Sequence, residues 1–245
     1  MFQNREGQRV PQVVFHIRHD NAWEKISTND LFAHKAVVVF SLPGAYTPTC
    51  SSSHLPRYEE LADALKANGV DDIYCLSVND TFVMNEWAMD QGIEQVKLIP
   101  DGNGEFTRGM GMLVDKEELG FGKRSWRYSM LVKDGVIEKM FIEPDKAGDP
   151  FEVSDADTML NYINPKAHKP DQIAVLSKEG CPFCVKAKEL LKQKGFDYVD
   201  ITLPHKTRSR ATGAITGAQT TPQVFINGRL IGGLEQLQRH LGVAA

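Results

Sequence analysis

The sequence predicts an α/β protein built as two domains. Three observations carry this. Short β-branched runs alternate with helix-like stretches from residue 36 onward; a polar stretch with two prolines interrupts the pattern at 164–171; and the pattern then restarts and runs to the end of the chain. A length of 245 residues, with 42% hydrophobic and 24% charged side chains, suits two ordinary globular domains. The net charge of −4 gives no electrostatic reason to expect nucleic acid or an anionic membrane as a partner. Residues 1–8 have no apolar centre and no run reaches membrane-spanning length, so neither a secretory signal nor a membrane span is expected, and a reducing, cytoplasmic setting follows.

Residues 12–17 are expected as a first strand and 23–28 as a loop or short strand. Ala36-Val37-Val38-Val39-Phe40 is short and apolar, the pattern of a buried strand. Pro43, Gly44 and Pro48 forbid its continuation, and Cys50 stands at or just inside the start of a helix that runs to Lys66 and stops at Asn68-Gly69. Pro56 is expected to kink that helix or to mark a reset, because its ring clashes with an earlier carbonyl. Residues 72–78 read as a strand and 82–90 as a helix. The glycines from 102 to 111 read as turns: no Gly-Lys-Ser/Thr follows, and Thr107 stands where Gly-x-Gly-x-x-Gly needs its last glycine. The runs 128–132 and 136–142 flank Asp134-Gly135, a hairpin signal, and a helix at 155–162 closes a domain spanning 1–163.

Beyond the linker at 164–171, which is polar and lacks apolar periodicity, the domain at 172–245 reads strand 173–176, helix 185–194, strand 197–201 and a helix near 205–212. Strands 223–226 and 229–231 then meet at Asn227-Gly228, with a last helix from Glu235.

The four cysteines, Cys50, Cys75, Cys181 and Cys184, are too few and too patterned for a disulfide scaffold in a chain of this length. Cys50 follows a strand and a rigid turn at a helix start, where free N–H groups and the helix dipole favour a thiolate; the alternative is a structural cysteine at a strand end. Cys181-Pro182-Phe183-Cys184 lies between a strand and a helix, the place of a redox motif, with Cys181 expected exposed and Cys184 one turn inside. Zinc would need two more ligands, and no second Cys-x-x-Cys or Cys-x-x-His exists. Cys75, inside an apolar strand, reads as a small buried hydrophobe rather than a resolving thiol. His54 is one turn from Cys50 and reads as a hydrogen-bonded surface histidine rather than a base. Lys123, Arg124 and Arg127 are, by spacing alone, equivalent surface charges.

Pro43, Thr47 and Cys50 form Pro-x-x-x-Thr-x-x-Cys directly after a strand, and this resembles the peroxiredoxin active site. The wording PGAYTPTCSSSHLPRY, with Arg127-Tyr128-Ser129-Met130 later, looks most like the peroxiredoxin five type. The resemblance implies that Cys50 attacks a hydroperoxide and becomes a sulfenic acid. Thr47 would accept from one peroxide oxygen and donate to the other, Arg127 would hold thiolate and developing oxyanion, Pro43 would shield the sulfur, and Gly44 and Thr49 would offer backbone contacts. Ionisation is the smaller factor: a thiol of ordinary pKa ~8.5 is already a few per cent thiolate at pH 7, so ionising it gains only ~30-fold. Donors aimed at the departing oxygen must supply more.

The second domain resembles glutaredoxins through Lys178-Glu179-Gly180-Cys181-Pro182-Phe183-Cys184, Thr221-Pro222-Gln223-Val224-Phe225-Ile226-Asn227-Gly228 and Gly232-Gly233-Leu234-Glu235. This implies a glutathione site: Lys178 on a carboxylate, Phe183 beside the thiols, and the Thr221 backbone on the cysteine moiety. Pro222 would follow a cis peptide, and the γ-glutamyl end would lie at Gly233, Leu234 and Glu235. Thr221 stands where valine is common, and the expected contact is through the backbone. Together the two resemblances imply two thioredoxin-like domains and a peroxidase for hydrogen peroxide and small alkyl hydroperoxides. It would have no bound cofactor or metal, glutathione as reducing co-substrate, Cys181 as recycling thiol, and a homo-oligomer passing electrons within or between chains. The rivals are a redox-signalling or chaperone-like protein with Cys50 as sensor, and a general thiol–disulfide oxidoreductase.

Overall fold

One strand buried on both faces, its side chains alternating between two apolar clusters, sets the architecture of the first unit. In the computed structural model, which describes residues 2–243, the strand β3 (Ala36–Leu42) follows an antiparallel ribbon, β1 (Val14–His19) and β2 (Ala22–Ser27), and a short helix α1 (Thr28–Phe32). A capping box starts α1: the Ser27 hydroxyl accepts from the Asp30 N–H while the Asp30 carboxylate accepts from the Ser27 N–H. Val37 and Val39 of β3 face one apolar cluster with Phe15, Phe32 and Phe106, and Val38, Phe40 and Leu42 face another with Leu55, Tyr58 and Leu160. A strand buried on both faces belongs at the centre of a sheet.

Cys50–His54 forms a π-helical turn leading into α2 (Leu55–Glu60) and α3 (Ala62–Ala67). Then follow β4 (Asp72–Ser77), α4 (Thr81–Asp90), β5 (Lys97–Pro100), α5 (Glu105–Gly109), the small ribbon β6 (Leu113–Asp115) and β7 (Lys123–Ser125), the hairpin β8 (Tyr128–Lys133) and β9 (Val136–Ile142), and α6 (Ala156–Ile163). The main sheet has the order β5-β4-β3-β8-β9, with β3, β4 and β5 parallel and β8 and β9 antiparallel to their neighbours. The Asp134-Gly135 turn closes the hairpin.

Two expectations change, while the one at Pro56 resolves to a reset rather than a kink, the proline standing in the first turn of α2 directly after the π-helical turn. Lacking an N–H, it leaves the Ser52 carbonyl without its usual partner, and the chain widens ahead of it, with the Leu55 N–H reaching the Cys50 carbonyl five residues back. The helix expected to run to Lys66 breaks at Leu61 (φ −93°, ψ 5°) and resumes as α3. The glycine-rich stretch also holds a helix, α5, whose first N–H groups are capped by the buried Asp101 carboxylate at 3.2 Å from Phe106 N and 2.8 Å from Thr107 N. Gly109 is required there, since a Cβ would stand 2.6 Å from Pro11 Cβ.

The chain divides between Lys169 and Pro170. The second unit runs β10 (Ile173–Ser177), α7 (Pro182–Gln193), β11 (Val199–Thr202), α8 (Arg208–Thr216), β12 (Gln223–Ile226), β13 (Arg229–Gly232) and α9 (Leu234–His240). Its sheet order is β11-β10-β12-β13, with β10 parallel to β11 and antiparallel to β12. Val175, Ala187, Leu191, Val224 and Leu237 form its core. No helix among the described residues is long and apolar enough to cross a membrane.

Candidate active site

Strand register brings the two distant halves of the first site together. Ser41 of β3 pairs with Tyr128 of β8, so Arg127, just before β8, emerges at the sheet end where β3 gives way to the Pro43–Cys50 turn. Arg127 Nη1 lies 3.5 Å from Cys50 Sγ and 3.0 Å from His54 Nδ1, and Nη2 pairs with the Asp149 carboxylate. The guanidinium also faces the Phe151 ring at 5.4 Å. Arg127 is 1% exposed, and its Nε–H has no partner. Lys123 and Arg124 take other places: Lys123 is exposed, and Arg124 donates to the Val78 carbonyl at 2.9 Å. The three cations are therefore not equivalent, because only position 127 enters the sheet end from a central strand.

His54 is not a surface residue. It is fully buried among Phe40, Tyr58 and Phe151, with Nε2 3.1 Å from the Ser154 carbonyl. A carbonyl can only accept, so Nε2 carries the proton and Nδ1 accepts from Arg127. Burial first, and the Arg127 charge second, push the imidazole down to about 3, so it stays neutral. The Pro43 turn is pinned locally: Thr47 Oγ1 donates to the Gly44 carbonyl at 2.9 Å, Ala45 N–H donates to Asn79 Oδ1, and Gly44 is buried. Thr49 precedes the π-helical turn without a side-chain cap. Pro43, Thr47 and Arg127 line one cavity of about 150 Å³. Cys50 lies behind its wall, with no exposed surface. Cys75 is equally buried in β4, where burial pushes its thiol up.

Asp149, Phe151 and Glu143 escape sequence reasoning, and His54 is singled out there as hydrogen-bonded but placed at the surface. Glu143, at the end of β9, is buried and accepts from the N–H groups of Glu152, Val153 and Ser154 and from the Ser154 hydroxyl, each within 2.9 Å. It thereby fixes the loop that holds Asp149, Phe151 and the His54 acceptor. A lone glutamate after a strand gives no signal of this.

In the second unit Cys181 caps α7: the Cys184 N–H donates to its sulfur at 3.2 Å, and the Thr221 carbonyl and hydroxyl lie at 3.6 and 3.9 Å. Cys181 is only 4% exposed, not the open thiol expected, because the Thr221–Pro222 segment closes over it. Burial raises its pKa, but hydrogen bonds from Cys184 and Thr221 and the Lys178 charge outweigh that and leave it lowered. Cys184 goes up, chiefly by burial. The Thr221–Pro222 peptide is cis. Lys178, Phe183, Thr221, Pro222, Gly233, Leu234 and Glu235 all line one open cavity with Cys181, and Cys184 stays outside it.

A family model described as Redoxin matches residues 5–160, and one described as Glutaredoxin matches residues 173–231. Hybrid peroxiredoxin hyPrx5 from Haemophilus influenzae is 59% identical over 96% of this chain and 98% of its own. The chain belongs to the hybrid peroxiredoxins. Peroxiredoxin sll1621 from Synechocystis is 60% identical over 64% of this chain and 89% of its own. Among solved structures, reduced Prx3 from Vibrio vulnificus in complex with H2O2 is similar at 40% identity and a TM-score of 0.62, covering 66% of this chain and 99% of that one. The 1-Cys peroxiredoxin of Plasmodium falciparum is similar at 37% identity and 0.63, covering 66% and 100%. As a hybrid peroxiredoxin the protein is a thiol peroxidase whose reductant module, a glutaredoxin domain, is fused to it; both domains are thioredoxin-like.

Proposed function

We propose that Cys50 reduces hydrogen peroxide and small alkyl hydroperoxides, and that glutathione and Cys181 restore it. The observation that carries this is the Arg127 guanidinium, held by a neutral histidine and a carboxylate, with one N–H on the Cys50 sulfur and a buried Nε–H unused. The sulfur attacks the terminal peroxide oxygen, the O–O bond breaks, and the leaving oxygen takes a proton to become water or an alcohol. Thr47 and the free Arg127 donor serve the oxygens as charge develops, which is where fixed donors count most. Pro43 keeps water from the sulfur.

Glutathione then displaces hydroxide from the sulfenic acid, forming a mixed disulfide and water. Cys181, the thiol with the lowered pKa, attacks the glutathione sulfur, releasing the Cys50 thiol and forming a Cys181–glutathione disulfide; a second glutathione attacks that disulfide, freeing the Cys181 thiol and leaving as glutathione disulfide. Lys178, Phe183, Thr221, Pro222, Gly233, Leu234 and Glu235 hold the tripeptide during that exchange. The raised pKa of Cys184 supports a route that does not need its sulfur. The reading places the protein in a reducing cytoplasm, as a homo-oligomer. Glutathione reductase coupled to hydroperoxide and glutathione tests it: wild type consumes NADPH, whereas Cys50→Ser and Cys181→Ser do not. Equal consumption by wild type and Cys50→Ser would overturn the proposal.

A further inference from the structure

The cavity in front of Arg127 is not electrically neutral. Three charged side chains line it, Arg127, Asp149 and Lys116. Asp149 is paired with Arg127, so the charge left over is the Lys116 ammonium. This group lies 5.5 Å from the centre of the Trp126 ring and makes no ion pair among the described residues. Glu117 and Glu118 follow it in the chain but do not line the cavity.

The loop that carries Lys116 is tied in place by the same residue's backbone. The Lys116 N–H donates to the Gly122 carbonyl at 2.9 Å, and its carbonyl accepts from the N–H groups of Leu119 at 3.0 Å and Phe121 at 3.1 Å. That loop stands Leu119, 59% exposed, and Phe121, 40% exposed, at the mouth of the cavity. Apolar side chains left open beside a reacting centre need a reason, since exposed hydrophobic patches mark binding surfaces. Hydrogen peroxide uses neither an apolar wall nor a spare cation.

We infer that the site prefers organic hydroperoxides with an apolar body and a carboxylate at the far end, the body resting on Leu119 and Phe121 and the carboxylate on Lys116. The inference rests on the peroxidase reading above and names the substrate class of that same site. No new step is involved: the terminal oxygen still passes to Cys50, the oxygen bonded to the organic body leaves as the alcohol, and the carboxylate remains unchanged.

The test compares para-carboxy cumyl hydroperoxide with its methyl ester, measured as kcat/KM for oxidation of Cys50 in wild type, Lys116→Gln and Lys116→Glu. The acid-to-ester ratio is taken within each protein, so a general loss of activity cancels. One half-exposed ion pair corresponds to an acid preference of about 1.4- to fivefold in wild type, fading as salt is added. The ratio should fall to about one in Lys116→Gln and invert in Lys116→Glu. A wild-type ratio of one or below, or a preference that survives in Lys116→Gln, overturns the inference. If acid and ester react alike while hydrogen peroxide is still consumed, only this inference fails. If wild type consumes none of the three, the peroxidase reading fails with it.

Discussion

Arg127 shows how much work one side chain is given by its neighbours. Its donors are divided among a sulfur, an imidazole nitrogen and a carboxylate, and the division requires His54 to be neutral and in one tautomer. Replacing Arg127 with Gln should slow oxidation of Cys50 by about 100- to 1,000-fold, the usual effect of removing a donor aimed at a developing oxyanion. Stopped-flow mixing with hydrogen peroxide measures this, and Cys181-dependent reduction of a small glutathione mixed disulfide should be unchanged. His54 makes a prediction about stability. Its pKa falls from 6.5 to about 3 on folding, so below pH ~6.5 the unfolded chain binds a proton that the folded protein excludes. Stability is therefore complete above that pH and is lost as pH drops towards 3, at no more than about 1.4 kcal/mol per unit from this group. His54→Gln keeps an acceptor and removes the titration. Its urea midpoint, followed by tryptophan fluorescence, should decline less steeply from neutral to acid pH than that of wild type; parallel declines would contradict the assignment. All three tryptophans lie in the first unit, at 23, 87 and 126, so the signal reports that unit alone.

At the scale of elements, the site is a junction of one strand end, one π-helical turn and one loop. The strand and the proline turn after it were legible in the sequence, since the apolar run at 36–40, the prolines and the hairpin at Asp134-Gly135 each carry a local signal, whereas the π-helical turn at Cys50–His54 was expected as an ordinary helix start. The loop was not legible. Asp149 and Phe151 reach Arg127 only because Glu143 gathers the N–H groups of Glu152, Val153 and Ser154, and nothing in the local pattern announces a glutamate that points inward. His54 was read as a surface residue for the same reason: its acceptor, Ser154, is a hundred positions away. Helix details were lost where a local signal leaves the backbone more than one answer: a reset at Pro56 was one of two expected outcomes, but neither the widened turn before it nor the break at Leu61 was read. Glu143→Gln tests the loop's dependence. It turns an acceptor of four bonds into a weaker one with an unwanted donor, and should destabilise the first unit by about 2–3 kcal/mol, since hydrogen bonds to charged groups are the strong ones. The urea midpoint should drop accordingly; an unchanged midpoint would mean the loop holds itself.

Across the whole molecule, the division into two units and both cysteine motifs could be read from sequence, because a linker and a restarted strand–helix pattern are one-dimensional features. The depth of the thiols could not: Cys181 looked open at a helix start, and only the Thr221–Pro222 segment, forty residues on, covers it. The fusion is worth having if the second unit acts on the product of the first. Linking them replaces a bimolecular encounter with an effective concentration on the order of millimolar, where geometry allows. The direct measurement is intact-protein and peptide mass spectrometry of wild type and Cys181→Ser, sampled over time after one equivalent of hydrogen peroxide and then glutathione. Both proteins should gain one oxygen at Cys50 and convert it to a glutathione adduct, and the adduct should clear from wild type while persisting in Cys181→Ser. Oxidation that begins at another cysteine, or an adduct that clears equally fast without Cys181, would contradict the account.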